Sequence, residues 1–326
     1  MRGFALSVAL ALGASGLVAL AAGVDPAAAL RVLALGALGS GEALAYTLYY
    51  ATSFIFAGLA VALAFQAGLF NIGGEGQAML GGLGAGLAAL ALDGLPAPWP
   101  ALAGVALAAL FGAGWALVPA WLQARRGSHI VITTIMFNFI ASALLTWLLA
   151  GVLIAPGQPA PESRGFAPSA WLPALGEGPL TLAFPLALLS AAAVAALLWR
   201  TRWGYALRVA GQNPDAARYA GISPAGVTIA AMLLSGALAG MVGVNEILGV
   251  QHRLLLGFSG GAGFVGIAVA LMGRNHPGGV VLAALLFGAL AQGGSELAFE
   301  FPALGRDLVV VIQGLVVLAA AVAARR

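Results

Sequence analysis

The sequence predicts an all-α polytopic membrane protein with about ten transmembrane helices, and three observations point to it. Of 326 residues, 62% are hydrophobic and only 8% charged, whereas a soluble domain carries about 25% charged residues. That proportion is about 202 apolar residues, and at about 20 per span they fill eight to ten helices and little else. The apolar runs are continuous and rich in Ala and Leu rather than alternating, which argues against a transmembrane β-barrel.

The same counts narrow the chemistry. There are no cysteines, so disulfides, thiol catalysis and thiolate metal sites are excluded. Three histidines and eleven carboxylates are too scattered to predict a metal centre, and no cofactor is expected. The formal net charge of +3 comes without a basic run interleaved with aromatics, so nucleic acid is not an expected partner. No His-Glu-x-x-His pair appears, which argues against an intramembrane metalloprotease.

Taken in order, the apolar run 3–24 exceeds the usual core of a signal peptide, about 7–15 residues. It reads as an uncleaved first span ending at Asp25-Pro26. Residues 30–38 form a short apolar helix near the interface. Further spans are expected at 43–65, 70–92, 98–122, 130–153, 180–199, 225–248, 254–273, 278–296 and 306–323, ten in all. With both termini cytoplasmic, ten arginines fall inside and four outside, the asymmetry of the positive-inside rule. The long outward loop 155–179 is rich in Pro and Gly and is placed to cover an external mouth or dock a partner. The chain reads as a single transmembrane domain, 1–326, with pseudo-repeat halves near 43–153 and 180–326 and a polar cytoplasmic loop at 200–224.

Two glycine-rich breaks support the pseudo-repeat. A shift of 187 positions lays Gly73, Gly74 and Gly76 onto Gly260, Gly261 and Gly263. Paired Gly-interrupted apolar segments in two halves point to a binding site at the repeat interface. Glu75 sharpens this, because a carboxylate at the centre of a span costs about 2.5–3.5 kcal/mol on insertion scales. It lines a cavity or clamps the break, and the residues alone leave both open. Asn71 and Gln77 share its segment, Asn245 and Glu246 are a second polar pair within a span, and Phe258, Ser259 and Phe264 are the counterparts in the other half. These eight are the expected substrate path.

The polar loop carries its own motif. Asn213-Pro214 starts a helix, since Asn caps free N–H groups and Pro suits the first turn. Asp215 sits at the positive end, and Gly221 then Pro224 stop it. An amphipathic helix on the arginine-rich face is shaped to press on a cytoplasmic partner.

At this point the chain resembles a family. Asp215-Ala216-Ala217-x-x-x-Gly221 is similar to the Glu-Ala-Ala-x-x-x-Gly coupling signature of ABC-importer permeases. The longer run from Gly211 through Asn213, Pro214, Arg218 and Tyr219 resembles the simple-sugar and nucleoside branch, related to ribose and branched-chain amino acid permeases. Leu69-Phe70-Asn71-Ile72-Gly73-x-Glu75-Gly76-Gln77 and Gly263-Phe264-x-Gly266-Ile267-Ala268-Val269-Ala270-Leu271 resemble its two intramembrane motifs. His129-Ile130 departs from the Asn-Glu more usual there, and Asp215 replaces the more usual Glu. The resemblance implies a non-catalytic transport subunit of a bacterial-type inner or plasma membrane. Its implied partners are a cytoplasmic ABC ATPase, a second and related permease subunit, and an external substrate-binding lipoprotein. It also assigns ATPase coupling to Arg208, Asn213, Pro214, Asp215, Ala216, Ala217, Arg218, Tyr219 and Gly221. The competing reading is an ion-coupled secondary transporter with inverted repeats, which has no need of the coupling-type loop.

Overall fold

The computed structural model describes residues 23–302 together with Gly13, Gly16, Leu17, Leu20, Val311, Gly314 and Leu315. The expected first and last spans, 3–24 and 306–323, therefore lie almost wholly outside the described residues. Eleven α-helices follow: α1 (Pro26–Leu38), α2 (Gly41–Gln66), α3 (Gly74–Ala91), α4 (Trp99–Arg126), α5 (Ile130–Trp147), α6 (Ala183–Arg200), α7 (Arg202–Gln212), α8 (Pro214–Tyr219), α9 (Pro224–Gly243), α10 (Ala262–Met272) and α11 (Pro277–Glu300). The described residues contain no strand. Local chemistry sets the boundaries. Asp25 and Ser40 cap α1 and α2 through Ala27 N and Ala43 N, and the left-handed Gly127 closes α4.

Six of these helices, among the described residues, are long and apolar enough to cross a membrane: α2, α4, α5 and α9 with their π-helical extensions to Val152 and Gln251, α6 and α11. Two expected spans are not continuous helices. In the 70–92 window the helix begins only at Gly74, and in 254–273 only the 11 residues Ala262–Met272 are helical. Positive φ at Gly257, Gly260 and Gly261 breaks the second run, because no left-handed residue continues an α-helix.

α2 is the central post. Of its most apolar window 83% is buried, against 28%, 22% and 28% for α4, α5 and α6, which turn their large side chains outward. α3, α9, α10 and α11 all pack on it. Close crossings are made by glycines: a Cβ on Gly112 of α4 would stand 3.0 Å from Gly240 Cα of α9 and closer still to Gly236 O. Such backbone approach is what small residues allow in membrane bundles.

The bundle has two distinct ends. The basic end gathers Arg126, Arg218, Arg274 and the turn after α2, where Gly68 meets Gly211 and Gln66 bonds the Asn275 carbonyl. At the far end the 155–179 loop is strapped down. Arg164 pairs with Asp93 at 2.7 Å, Arg253 with Glu162 at 3.0 Å, and Trp171 stacks on His252 at 3.9 Å. Burial against that ring lowers the His252 pKa below the ordinary imidazole value. Backbone bonds from Ser163 N to Leu254 O and from Leu172 N to Leu248 O add to the strap.

The crossings give a paired test. Gly112→Val should destabilise the protein by about 1–3 kcal/mol or more through overpacking. Gly114→Val should be nearly neutral, since a Cβ there meets nothing within 4 Å. Thermal unfolding in detergent checks both.

Candidate functional site

After α2 the chain turns at Gly68, whose φ of 71° is left-handed. It then runs without helix from Leu69 to Gly73 before α3 begins. In an apolar interior each freed backbone group needs a partner, and buried amides supply them. Asn71 Oδ1 accepts from Gly73 N at 2.9 Å. Asn138 of α5 accepts from Gly76 N with Oδ1 and donates from Nδ2 to Ile72 O, both at 2.9 Å. Asn71 Nδ2 donates to Gln77 Oε1 and to Ser235 Oγ, and that hydroxyl donates onward to Ala60 O of α2 at 2.7 Å.

The second break folds against the first. Gly263, the second residue of α10, lies on the α3 backbone, where an added Cβ would come within 2.5 Å of Glu75 Cα and Gly74 C. Glu75 is 4% exposed. Its Oε2 accepts from Gly263 N at 2.9 Å and its Oε1 from Ser259 Oγ at 2.5 Å. The first turns of two half-helices thus converge on one carboxylate. Each helix N-terminus carries roughly half a positive charge, so this is a favourable place for an anionic group.

Asn71, Glu75, Gln77 and Ser259 are therefore brought together and buried, and Phe258 packs its buried ring on Gly82 nearby. Three of the expected path residues lie apart from this group. Phe264 is 49% exposed on the outer face of α10, because Gly263 and Gly266 are the residues of that helix turned inward. Asn245 and Glu246 belong to a separate buried cluster. Glu246 accepts from Tyr49 Oη and from Ser53 Oγ, and Asn245 Nδ2 donates to Tyr49 O and Ser53 Oγ. Ser53 and Ala60 are two turns apart on α2, about 10 Å along the axis, so the clusters sit at different levels. The sequence reading missed Tyr49, Ser53 and Ser235 and made no site assignment for Asn138. Asn138 had a signal, a costly amide within an apolar span. A lone Ser in an Ala/Gly-rich helix has none.

The polar loop forms two helices rather than one. Thr201 caps α7 through Gly204 N, and Arg208 Nε donates back to Gly204 O at 3.4 Å. Asn213 ends α7 and caps α8, its Oδ1 accepting from Asp215 N at 2.9 Å and Ala216 N at 3.0 Å, with Pro214 in the first turn. Ala217 is fully buried and seats α8 against its own protein. The outward edge is Asp215, Ala216, Arg218 and Tyr219. Arg218 pairs with Asp215 at 2.5 Å, and Tyr219 is 95% exposed. Gly221, with φ of 74°, turns the chain towards Ser223, which caps α9. A groove of about 620 Å³ beside α8 is lined by Gln123, Ala124, Arg218 and residues 221–225 with Thr228. Among the described residues no group of acidic or imidazole side chains is placed to hold a metal.

An all-helical membrane protein with two half-helices meeting inside it, and a capped helix pair at its basic end, has the architecture of a transport subunit. The chain belongs to the family described as the branched-chain amino acid transport system permease component, matched over residues 43–321. It is 40% identical to the glucose ABC transporter permease protein TsgB13 of Haloferax volcanii, over 96% of this chain and 85% of that one. It is 36% identical to the guanosine ABC transporter permease protein NupP of Bacillus subtilis, over 94% and 90%. With the nucleoside ABC transporter permease protein NupB of Lactococcus lactis it shares 33%, over 85% and 79%. No solved structure matches. Membership decides against the ion-coupled alternative: the chain is a permease subunit of an ABC transporter.

The Glu75 arrangement predicts a graded stability effect. Glu75→Ala leaves Ser259 Oγ and Gly263 N without an acceptor and should cost about 1–3 kcal/mol for each group left unpaired. Glu75→Gln keeps one carbonyl oxygen and should cost less. Thermal unfolding of the purified variants ranks them, and equal midpoints for Glu75→Ala and the native chain would remove the clamp.

Proposed function

We propose that this permease carries a small neutral polar solute, a nucleoside or simple sugar, inward across a bacterial-type inner or plasma membrane. The names of the relatives above, for glucose, guanosine and nucleosides, support that class. Ten spans are the proposed count: the six long helices, the two broken segments that contain α3 and α10, and the runs 3–24 and 306–323. On this reading both termini and the 200–224 loop are cytoplasmic, as the arginine split favours. The single domain 1–326 divides into halves near 43–153 and 180–326. Asn71, Glu75, Gln77, Phe258 and Ser259 border the solute path where the half-helices meet, with Asn245 and Glu246 at a second level. The subunit performs no chemistry and needs no cofactor. Its partners are a cytoplasmic ABC ATPase, a second and related permease chain, and an external binding lipoprotein that delivers the solute.

The observation that carries ATP-driven coupling is α8, short, capped by Asn213, seated on Ala217, and presenting Tyr219 almost fully exposed beside a groove. A helix so held passes on displacement instead of absorbing it, and an exposed Tyr beside an Arg is the residue pair enriched at binding hot spots. Tyr219→Ala should leave the permease folded and weaken ATPase association about tenfold or more, in the range of a hot-spot aromatic at ~2 kcal/mol. Co-purification with the ATPase measures this; unchanged association in both Tyr219→Ala and Arg218→Ala would rule α8 out as the contact. Uptake of labelled guanosine and glucose by the reconstituted complex assigns the solute.

A further inference from the structure

The turn that ends α2 touches three other parts of the molecule. Gly68 N donates to Phe65 O at 2.9 Å and Leu69 N to Ala64 O at 3.0 Å, a tight left-handed helix end. Gly211, in the last turn of α7, lies backbone to backbone on it: a Cβ there would stand 2.8 Å from Ala67 C and Gly68 N. On the other side Gln66 Nε2 donates to Asn275 O at 3.0 Å. Asn275 N in turn donates to Ala270 O at 2.9 Å and closes the end of α10, with Arg274 and Asn275 both left-handed. Trp199, at the end of α6 just before α7, stacks on His276 at 4.7 Å, and His276 caps α11 through Gly278 N.

Two stiff routes lead from this turn to the carboxylate. One is the extended segment Leu69 to Gly73, pinned by Asn71 and Asn138, which runs straight into α3 and Glu75. The other is α10, a rod of 11 residues and about 16 Å, whose far end is Gly263 on Glu75 Oε2. Where Gly211 meets Gly68 there is no side chain to change rotamer, and close-packed backbone transmits strain instead of yielding.

We propose that residues 66–68, Gly211 and the loop 274–276 form a joint that passes movement of α7 and α8 to both half-helices at Glu75, with Gln66 and Gly211 as positioning residues. This rests on the ATPase-coupled reading above. Gly211 meets the turn upstream of both routes, and Gln66 serves the second alone through Asn275.

The test uses the full chain assembled with its ATPase, in detergent or reconstituted, with hydrogen exchange read on peptides covering 66–77 and 262–275 with and without nucleotide. In the native complex nucleotide should change exchange in both segments. In Gly211→Ala the ATPase should still bind and hydrolyse ATP while both segments stop responding, and solute moved per ATP should fall about tenfold, within the range of ordinary allosteric effects. In Gln66→Leu the response of 262–275 should be lost and that of 66–77 kept, a split that general destabilisation would not produce. The joint is overturned if neither segment responds to nucleotide in the native complex, or if Gly211→Ala moves native amounts of solute per ATP. Should Gly211→Ala fail to assemble, the native exchange and the Gln66→Leu split decide the matter alone. Failure of the α8 reading looks different, because there the ATPase association itself is insensitive to Tyr219.

Discussion

The fold depends on where two interrupted helices find partners for their backbone. In a hydrocarbon medium an unpaired N–H or C=O costs several kcal/mol, so a chain that stops two helices inside the bundle must answer for every group it frees. Glu75 answers for the second break by accepting from Ser259 and Gly263, while Asn71 and Asn138 answer for the first. The carboxylate also sits between two helix N-termini, so electrostatics and hydrogen bonding act in the same direction. Among the described residues, it is this carboxylate whose hydrogen bonds hold the two breaks face to face.

The glycines then follow as a requirement of the same contact. For α3 and α10 to meet backbone to backbone around α2, the helices beside them must also come close, and they do so at Gly112 with Gly240, at Gly81 with Gly240, and at Gly82 with Gly243. Close crossings trade side-chain contact for backbone proximity, and such interfaces slide less readily than ones padded by flexible side chains. On the reading proposed above, movement at the basic end would be carried along helices and glycine contacts to the centre, where the few hydrogen bonds would be exchanged for bonds to a solute.

Much of this was legible in the residues. The apolar content carried the membrane class, and Glu75 among glycines marked the place where the two breaks meet, because a carboxylate in a span is costly. Asn213-Pro214 marked the start of α8. What stayed hidden depended on direction rather than composition. Ala217 and Phe264 each stand in a motif, yet one faces inward and the other outward, and a six-residue helix or an eleven-residue half-helix is too short for hydrophobic periodicity to tell the faces apart. Ser235 was invisible because a hydroxyl in a span ordinarily bonds its own helix, whereas here it bridges Asn71 to Ala60 of α2. The glycines marked the second break, but not its extent: the helix begins only at Ala262, after left-handed Gly257, Gly260 and Gly261.

If the solute path proposed above runs past Glu75, the arrangement there bears on which solutes it favours. Half-helices that aim their N-termini at the middle of a membrane protein commonly present that positive field to an anionic solute. Here the protein's own carboxylate takes up the field, and both of its oxygens are engaged. A phosphorylated or carboxylated solute would have to displace Glu75 or lie beside it as a like charge, and both are unfavourable at low dielectric. A neutral solute rich in hydroxyl and amide groups meets no such barrier, because it can exchange single hydrogen bonds with Ser259, Asn71 and Gln77 while the carboxylate stays paired. Nucleosides and simple sugars, the solute class proposed above, have that chemistry.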